Sequence, residues 1–473
     1  MTKRKSDNYN LRDRKKNKFI IESESESESE SESGEEEGEV IDITSILADI
    51  LGGFKQGDDL EDVNKKYLDS LTNEERKKLK DIEEKIKEIN LTPIPLRYKV
   101  LGSNLEEKSK ALLMQRVIYF EKLESHQGEY FKLKKYMDGI LNIPFKKFKG
   151  LKISEITKNK ELSFPEKVVE IRSFIEKLKE DLDYGTYGQQ DTKNTIIEIV
   201  ATWISNPLSS GNIIGLCGPP GCGKTSIIKN GLSKALDMPF AFIPLGGSMS
   251  ASSLEGSDYT YEGSKWGRIV DILMEQKCMN PIIFFDELDK IPEDKLGDEI
   301  NSLLIHLTDS TQNNSFRDKY FNGIDFDLSK CLMIFSFNDA NKLNSVLKDR
   351  INIVHLKGFD VNEKIIIAKD YCLKDICDNV GLSSNLIEIT DETLKSIIIK
   401  YCPEKGVRKL KQCLNSLVMK INLFHITRDF SNLNLKNKSN FKVPYTITPD
   451  IAISLLDPVY KKEVDVSVHM MYT

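Results

Sequence analysis

The chain has 473 residues, enough for about three structural units. Its composition is 39% hydrophobic and 30% charged, and 68 basic residues against 74 acidic ones give a net charge of −6. A net-acidic chain is a poor candidate for a general nucleic-acid binder, and without a run of about 18 uncharged apolar residues no membrane span is predicted. Eight cysteines without a CxxC pair and only five histidines argue against a disulfide scaffold or a structural zinc site. We therefore expect reduced, mostly buried thiols.

The N-terminal residues are strongly charged. Eight Lys and Arg residues fall within 1–18, and residues 22–33 alternate Glu with Ser. Such a segment cannot bury apolar surface, so a disordered tail is predicted over 1–59. Two interpretations stay open: a solvated tail that keeps the protein soluble, or a nuclear-targeting basic cluster followed by a phosphorylation tract. With no apolar core for a secretory signal, a cytoplasmic location is expected, with the nucleus as the alternative.

A helical region follows the tail. Thr72 and Glu75 have the spacing of a capping box, and apolar residues then recur at intervals of three and four. Further helices are predicted over 105–123 and 130–141, and another begins at Ser163 with a proline in its first turn. These helices predict a structural arm that precedes the chemistry-bearing segment.

The pattern changes near residue 211. The apolar run Ile213–Cys217 predicts a buried parallel strand, and it leads into a glycine-rich loop followed by a helical pattern. Glycines let backbone N–H groups turn towards a phosphate, and the helix N-terminus adds a favourable dipole. A lysine then contacts the terminal phosphates, and a hydroxyl is a ligand for Mg²⁺. The nucleotide-binding residues predicted from this P-loop are Gly218, Pro219, Pro220, Gly221, Cys222, Gly223, Lys224 and Thr225.

A second apolar run, 282–285, ends in two acids. Asp286 has the place of a Mg²⁺ ligand beside a P-loop, and Glu287 is placed to polarise an attacking water. Two acids in succession favour ATP hydrolysis over a GTP switch. A third apolar run ends at Asn338, whose amide suits the orientation of that water. Arg350 then precedes another strand-like stretch and would stabilise transition-state charge, in its own site or in that of a neighbouring subunit.

Taken together, GPPGCGKT, IIFFDE, FSFN and LKDR form the motif series of AAA+ ATPases. Several longer stretches resemble the ATPase module of Lon-type ATP-dependent proteases more closely. They include LGGSMSASSLEGSDYTYEGSKWGRI (245–269), DELDKI with LGDEINSLL (286–304), FRDKYFNGIDFDLSKCLMIFSFN (316–338) and EKGVRKLKQCL (404–414). The resemblance covers about residues 127–460.

The resemblance implies a fold and a set of roles. It implies an α/β P-loop domain with a central parallel sheet, followed by a helical lid. Tyr187 and Gly188 would form the entrance of the nucleotide pocket. Asn338 would be the first sensor and Arg408 the second, on the third lid helix. The cofactors implied are ATP and Mg²⁺. Arg350 would reach into a neighbouring subunit, so a homo-oligomeric ring, expected to be a hexamer, is implied. The predicted domains are a charged tail (1–59), a helical arm (60–183), the AAA+ domain (184–359), the lid (360–460) and a C-terminal tail (461–473).

Two features depart from the family pattern. Lon-type proteases carry a Ser–Lys peptidase domain after the lid, whereas this sequence ends at Thr473, so we expect no peptidase domain in it. The substrate-gripping loop of the family has an aromatic residue followed by an aliphatic one, and here the pair is Tyr261 and Glu262. Trp266 is expected to add a second aromatic to that loop. Glu262 predicts either a weakened grip or a preference for basic polypeptide.

The sequence therefore predicts a ring ATPase that remodels or unfolds protein substrates by threading them. Two alternatives remain. In the first, the chain is the ATPase component of Lon-type proteolysis and works with a separate peptidase. In the second, it is a nucleotide-gated assembly scaffold with a partner-recruiting tail. Neither a membrane nor a nucleic acid is an expected partner.

Overall fold

A computed structural model of the chain describes residues 67, 69–90, 94–124, 126–151, 153, 163–206, 213–247, 250–427 and 444–458. The chain divides into two compact units after Pro93. In the first unit the structure describes helix α1 (Asn73–Asn90) and the turn before it. At that turn the Glu75 carboxylate accepts hydrogen bonds from the Thr72 backbone N–H (3.1 Å) and hydroxyl (2.7 Å), which lowers the pKa of Glu75. The tail predicted over 1–59 lies outside the described residues.

The second unit begins with helices. They are α2 (Leu96–Gly102), α3 (Glu107–Phe120), α4 (Gly128–Asn142), α5 (Phe164–Gly185) and α6 (Gln190–Ser205). The helix predicted over 105–123 matches α3, and α2 lies before it. Helix α5 begins after Ser163 with a proline in its first turn, as the sequence predicts, and the structure adds a capping box formed by Ser163 and Glu166.

A five-stranded parallel sheet forms the centre of this unit. Its strands are β1 (Ile213–Cys217), β2 (Phe240–Pro244), β3 (Ile282–Asp286), β4 (Leu332–Phe337) and β5 (Asn352–His355), in the order β2-β3-β4-β1-β5. The connecting helices are α7 (Lys224–Ser226, a π segment Ile227–Leu232, and Ser233–Ala235), α8 (Ala251–Glu255), α9 (Arg268–Gln276), α10 (Lys295–Thr308) and α11 (Ser345–Arg350). The central parallel sheet predicted from the sequence is confirmed.

Both faces of the sheet are covered. Alternate residues of each central strand enter different cores, so that in β3 Ile283 and Phe285 face one core while Ile282 and Phe284 face the other. Helices α2, α3 and α4 contribute to the first core, and α5, α6 and α7 contribute to the second. Within the second unit, the helices of the predicted arm, α2 to α5, therefore have no core separate from that of the sheet.

A helical lid follows the sheet and has its own core. It consists of α12 (Val361–Ile367, a π segment Ala368–Cys372, and Leu373–Val380), α13 (Asp391–Tyr401), α14 (Arg408–Thr427) and helical residues 449–458. A short parallel pair, β6 (Ile387–Ile389) with β7 (Tyr445–Ile447), closes one side. The tail predicted over 461–473 lies outside the described residues.

Two predictions from composition can be compared with the fold. All eight cysteines are buried, as expected. Among the described helices, none combines the length and the apolar composition needed to cross a bilayer.

Candidate active site

The P-loop leaves the carboxyl end of β1 and turns into α7. Its conformation requires glycine at two positions, since Gly221 and Gly223 have φ of +77° and +95°. At Gly223 a Cβ would also lie 2.7 Å from the Thr186 methyl group. Cys222 between them is fully buried and anchors the loop to the core beneath it. The loop is thereby held open on the side where backbone N–H groups can face a phosphate.

Lys224 lies at the centre of a polar cluster. Its ammonium donates hydrogen bonds to the Gly218 carbonyl (2.5 Å), the Asn338 side-chain oxygen (2.7 Å) and the Phe337 carbonyl (3.3 Å). Asn338 follows β4, which pairs directly with β1. Parallel strands end at the same edge of a sheet, so two residues 114 positions apart in sequence meet here. The structure brings the predicted P-loop lysine and the predicted sensor amide together.

The two acids end β3 at the same edge. The Asp286 carboxylate accepts a hydrogen bond from the Ser336 hydroxyl at 2.5 Å, which fixes its orientation. Glu287 adopts φ +60°, a left-handed conformation that is unfavourable for a residue with a side chain and is typical of functional sites. Its side chain lies over Gly246, where a Cβ would be 2.3 Å from Glu287 Oε2. Gly246 thus provides the space that the Glu287 carboxylate occupies.

These groups share one cavity of about 280 Å³. It is lined by Pro220, Gly221, Gly223, Lys224, Thr225, Ser226, Asp286, Glu287, Ser336, Phe337, Asn338 and Arg408. A threonine hydroxyl and an aspartate carboxylate are hard oxygen donors of the kind that Mg²⁺ prefers, and Lys224 lies within the same cavity to meet phosphate charge. The donor set therefore fits a magnesium nucleotide. The described residues contain no group of three or more His, Cys, Asp or Glu that could bind a metal ion in the absence of a nucleotide.

The lid touches the P-loop directly. The Val407 backbone N–H donates to the Gly221 carbonyl at 3.1 Å. Gly406 lies so close that a Cβ there would be 2.0 Å from the Pro220 carbonyl oxygen. Arg408, the first residue of α14, follows this contact and lines the phosphate cavity. The predicted second sensor is therefore placed by a backbone contact between lid and loop.

A larger cavity of about 820 Å³ adjoins the first and lies between the sheet domain and the lid. Tyr187 lines it and packs against the lid core. Gly188 is not among the lining residues, and its φ of +64° turns the chain into α6. The turn is fixed by the buried Lys193, whose ammonium donates to the Asp183 carboxylate (2.6 Å) and the Thr186 carbonyl (2.7 Å). The volume and position suit the base and sugar of a nucleotide.

Arg350 lies apart from these cavities. At the end of α11, its guanidinium donates to the Ile305 carbonyl at 2.7 Å and pairs with Asp309 at 3.1 Å. It is not among the residues that line either cavity described above. Within one chain, the structure does not bring Arg350 to the predicted phosphate site.

The loop between α8 and α9 carries the predicted gripping pair. Tyr261 is 69% exposed, and Glu262 is exposed beside it. The expectation that Trp266 offers a second gripping aromatic is not met, because Trp266 ends the loop but is partly buried. Its ring stacks on Phe321 with centroids 5.9 Å apart and meets Tyr320 edge-on, because the large apolar indole gains more from burial in this aromatic cluster than from exposure.

Sequence reasoning missed several residues of the site. Ser336 lies within an apolar strand run, and Asp289, which accepts a hydrogen bond from the Asn338 backbone N–H at 3.2 Å, lies within a charged turn. Gly246 and Gly406 act through steric proximity to distant segments, which no local pattern reveals. A polar residue inside the buried β4 run was the one available signal, for Ser336.

Comparison with known proteins gives two family matches. Residues 214–358 match the ATPase family associated with various cellular activities (AAA), and residues 378–429 match the Lon protease AAA+ ATPase lid domain. The resemblance recognised in the sequence is thereby confirmed over the sheet domain and the lid.

Individual relatives agree with these matches. The chain is 33% identical to a Lon protease homolog of Acanthamoeba polyphaga mimivirus over 78% of its own length and 35% of that protein. It is 33% identical to the Lon protease of Clostridioides difficile (strain 630) over 73% of its length and 41% of that protein. A mitochondrial Lon protease homolog 3 of Arabidopsis thaliana is 36% identical over 52% of this chain and 26% of that protein. The chain thus spans well under half of these relatives.

Proposed function

We propose that this chain, an AAA+ ATPase that resembles the ATPase module of Lon-type proteases, hydrolyses MgATP in a homo-oligomeric ring and uses the energy to unfold or remodel protein substrates. The observation that carries the proposal is the shared phosphate cavity. Lys224, Asp286, Glu287 and Asn338 come from three strand ends and Arg408 from the lid, and all five line it.

Each residue of the smaller cavity has a separate role in the proposed hydrolysis of ATP. Lys224 and the P-loop N–H groups hold the phosphates, and Thr225 with Asp286 would hold Mg²⁺, which when bound neutralises phosphate charge. Glu287 accepts a proton from the attacking water, and Asn338 orients that water. Arg408 responds to the phosphates from the lid side, so that the lid moves with the state of the nucleotide. Lys224 and Asn338 are hydrogen-bonded to each other, and a γ-phosphate would compete for both partners.

Assembly into a ring would bring an arginine of one subunit to the nucleotide site of the next. Because Arg350 lies outside the cavities of its own chain, we infer that it completes the site of a neighbouring subunit. Its bonds to Ile305 and Asp309 fix the guanidinium on α10 instead of leaving it free in solvent. Hydrolysis would then depend on assembly. A hexamer is the ring size proposed from the resemblance.

The exposed loop supports a proposal for the substrate class. Tyr261 provides a flat apolar surface for a peptide chain, and Glu262 beside it adds a negative charge for each subunit. A ring of such charges attracts basic polypeptide and repels acidic polypeptide. We therefore propose that unfolded basic segments are the preferred substrates.

A second candidate function is ATP-dependent proteolysis. The relatives named above are Lon proteases, which favours a module that delivers unfolded chains to a peptidase. The module would perform the same work in either case. A third candidate, a nucleotide-gated scaffold, predicts that loss of Glu287 is tolerated.

The first test is steady-state ATP hydrolysis at increasing protein concentration, with Glu287→Gln and Arg350→Ala measured beside the wild type. We expect specific activity to rise as the protein assembles and both variants to lose it while still binding ATP. Arg317→Ala is the matched control, because it removes an exposed guanidinium that pairs with Asp325 and lines neither cavity. Wild-type protein that binds ATP without turnover in any oligomeric state would exclude the motor and favour the scaffold.

Mixing the two inactive variants tests the action in trans. A Glu287→Gln subunit still presents Arg350 to its neighbour, so an Arg350→Ala neighbour with an intact Glu287 regains a complete site. We expect mixed rings to recover part of the wild-type activity. If the mixture stays as inactive as its components although the subunits co-assemble, Arg350 does not act across the interface.

A further inference from the structure

Residues 257–266, here called the gripping loop, form a closed hairpin with Tyr261 near its tip. The Ser257 backbone N–H donates to the Lys265 carbonyl at 3.2 Å and joins the two ends. Near the tip, the Asp258 carboxylate accepts from the backbone N–H (2.9 Å) and the hydroxyl (2.7 Å) of Thr260. The hairpin is therefore ordered within itself, and its direction depends on what holds its ends.

A buried carboxylate lies at those ends. Asp318, in the segment that follows α10, is completely buried. Its Oδ2 accepts a hydrogen bond from the Gly267 backbone N–H at 2.7 Å, and its Oδ1 accepts one from the Tyr320 backbone N–H at 2.9 Å. Gly256, at the other end of the hairpin, is so close that a Cβ there would lie 2.8 Å from Asp318 Oδ1. One side chain thus contacts both ends of the gripping loop.

The surroundings of Asp318 are unusual for a carboxylate. Among the described residues none forms an ion pair with it, and the neighbouring Glu255 repels its charge. Burial raises the pKa of Asp318 to about 6, while backbone N–H bonds from Gly267, Tyr320 and Phe321 act in the opposite direction. Burial of a carboxylate without a cation lowers the stability of the fold. If the residue at this position only filled space, an apolar side chain would stabilise the fold more.

Aromatic side chains also pack against the base of the hairpin. Trp266, its last residue, stacks on Phe321, three positions after Asp318. Tyr259 meets the buried Tyr136 of α4 edge-on at 5.3 Å. Also from α4, the Lys135 ammonium donates to the Ser264 carbonyl at 3.2 Å. The base of the hairpin is therefore fixed on three sides. At its C-terminal end the Asp318 bond to the Gly267 N–H (2.7 Å) is shorter than the bond from the Trp266 indole N–H to Asp271 (3.3 Å).

We propose that Asp318 is the positioning residue of the gripping loop: it fixes the direction of the hairpin so that ATP-driven movement of the domain is transmitted to Tyr261. The inference rests on the proposed threading function. Asp318 lies outside both nucleotide cavities, so its loss separates substrate handling from ATP hydrolysis.

The test uses the full-length protein with reduced, carboxyamidomethylated lysozyme as an unfolded basic probe. ATP hydrolysis is measured with and without the probe for wild type, Asp318→Asn and Asp325→Asn. Asp325 is the matched control because it lies in the same segment, is half exposed and pairs only with Arg317 among the described residues. Hydrogen exchange of residues 257–267 is followed on the same samples.

For Asp318→Asn we expect basal hydrolysis and the KM for ATP within about twofold of wild type, and stimulation by the probe reduced at least about fivefold. Exchange in 257–267 should rise while that of β3 does not, and Asp325→Asn should match wild type in every measurement. Stimulation of Asp318→Asn at the wild-type level would overturn the inference and leave the proposed function standing. Wild-type protein that turns over ATP but is not stimulated by the probe would overturn the threading function, and the inference with it.

Discussion

Substitution of Gly406 by alanine tests whether the lid must sit on the P-loop for catalysis. The added methyl carbon would lie 2.0 Å from the Pro220 carbonyl oxygen and 2.9 Å from the Gly221 carbonyl carbon. Carbon–oxygen contacts begin at about 3.3 Å, so the two backbones must separate by about 1.3 Å. That movement breaks the bond from the Val407 N–H to the Gly221 carbonyl and withdraws Arg408 from the phosphate cavity.

The expected cost follows from that displacement. Loss of one backbone hydrogen bond costs about 1 kcal/mol, whereas a misplacement of about 1 Å at a catalytic group can cost about 100-fold in rate. We therefore expect kcat/KM for ATP to fall about 100-fold while the thermal unfolding temperature changes little, since the side chains of the lid core are unchanged. Steady-state hydrolysis and thermal unfolding measure the two quantities.

A matched control is available in Gly128, where an added Cβ meets nothing within 4 Å. Gly128→Ala should keep wild-type activity and stability. The reasoning is refuted if Gly406→Ala is folded and hydrolyses ATP at a rate within about twofold of wild type, because lid seating would then be irrelevant to turnover.

Three further predictions concern the metal, the thiols and the lid. Ser336→Ala removes the hydroxyl that orients Asp286, so the Mg²⁺ concentration for half-maximal hydrolysis should rise about 10-fold, and an unchanged value would contradict this orienting role. Burial raises the pKa of Cys222, so iodoacetamide should modify this thiol at least about tenfold more slowly than free cysteine at pH 7.5. The rate should rise towards higher pH as the thiolate forms, and modification as fast as that of free cysteine would exclude this account. The buried Lys364 donates to the carbonyls of Cys402 (3.1 Å) and Glu404, so Lys364→Met should lower the free energy of unfolding by about 3 kcal/mol in denaturant titrations. The control Lys369→Met removes an exposed ion pair and should change the free energy of unfolding by less than about 1 kcal/mol.

The sequence was most informative where chemistry and local structure coincide. Three apolar runs, each followed closely by a polar residue with a predicted role, predict parallel strands, and parallel strands place Lys224, Asp286 and Asn338 at one edge. That inference needs no knowledge of the whole fold. It explains why the phosphate site could be predicted from residues as far apart as 224 and 338.

The parts that were not predicted depend on distant segments. Strand β2 has a short apolar pattern with a proline at its end, and only its pairing with β3 distinguishes it from a loop. The packing of the arm against the gripping loop depends on Tyr136, which reads as an ordinary helix residue in sequence. Trp266 was misassigned because sequence shows that an aromatic lies near a loop and does not show which side of the backbone it occupies.

The two π segments have a consequence for how the chain tolerates length changes. A π segment is an α-helix that has gained one residue, and each residue of an α-helix turns by about 100°. Gly231 lies in the first of these segments, where a Cβ on Gly185 of α5 would come within 2.7 Å of the Gly231 backbone nitrogen. Deletion of a single residue between 227 and 230 would restore α-helical geometry and rotate Gly231 by about 100° away from α5, so that a larger side chain would enter the crossing. A deletion in the helix that follows the P-loop would therefore require a compensating change in α5. We expect this stretch to vary in composition far more readily than in length.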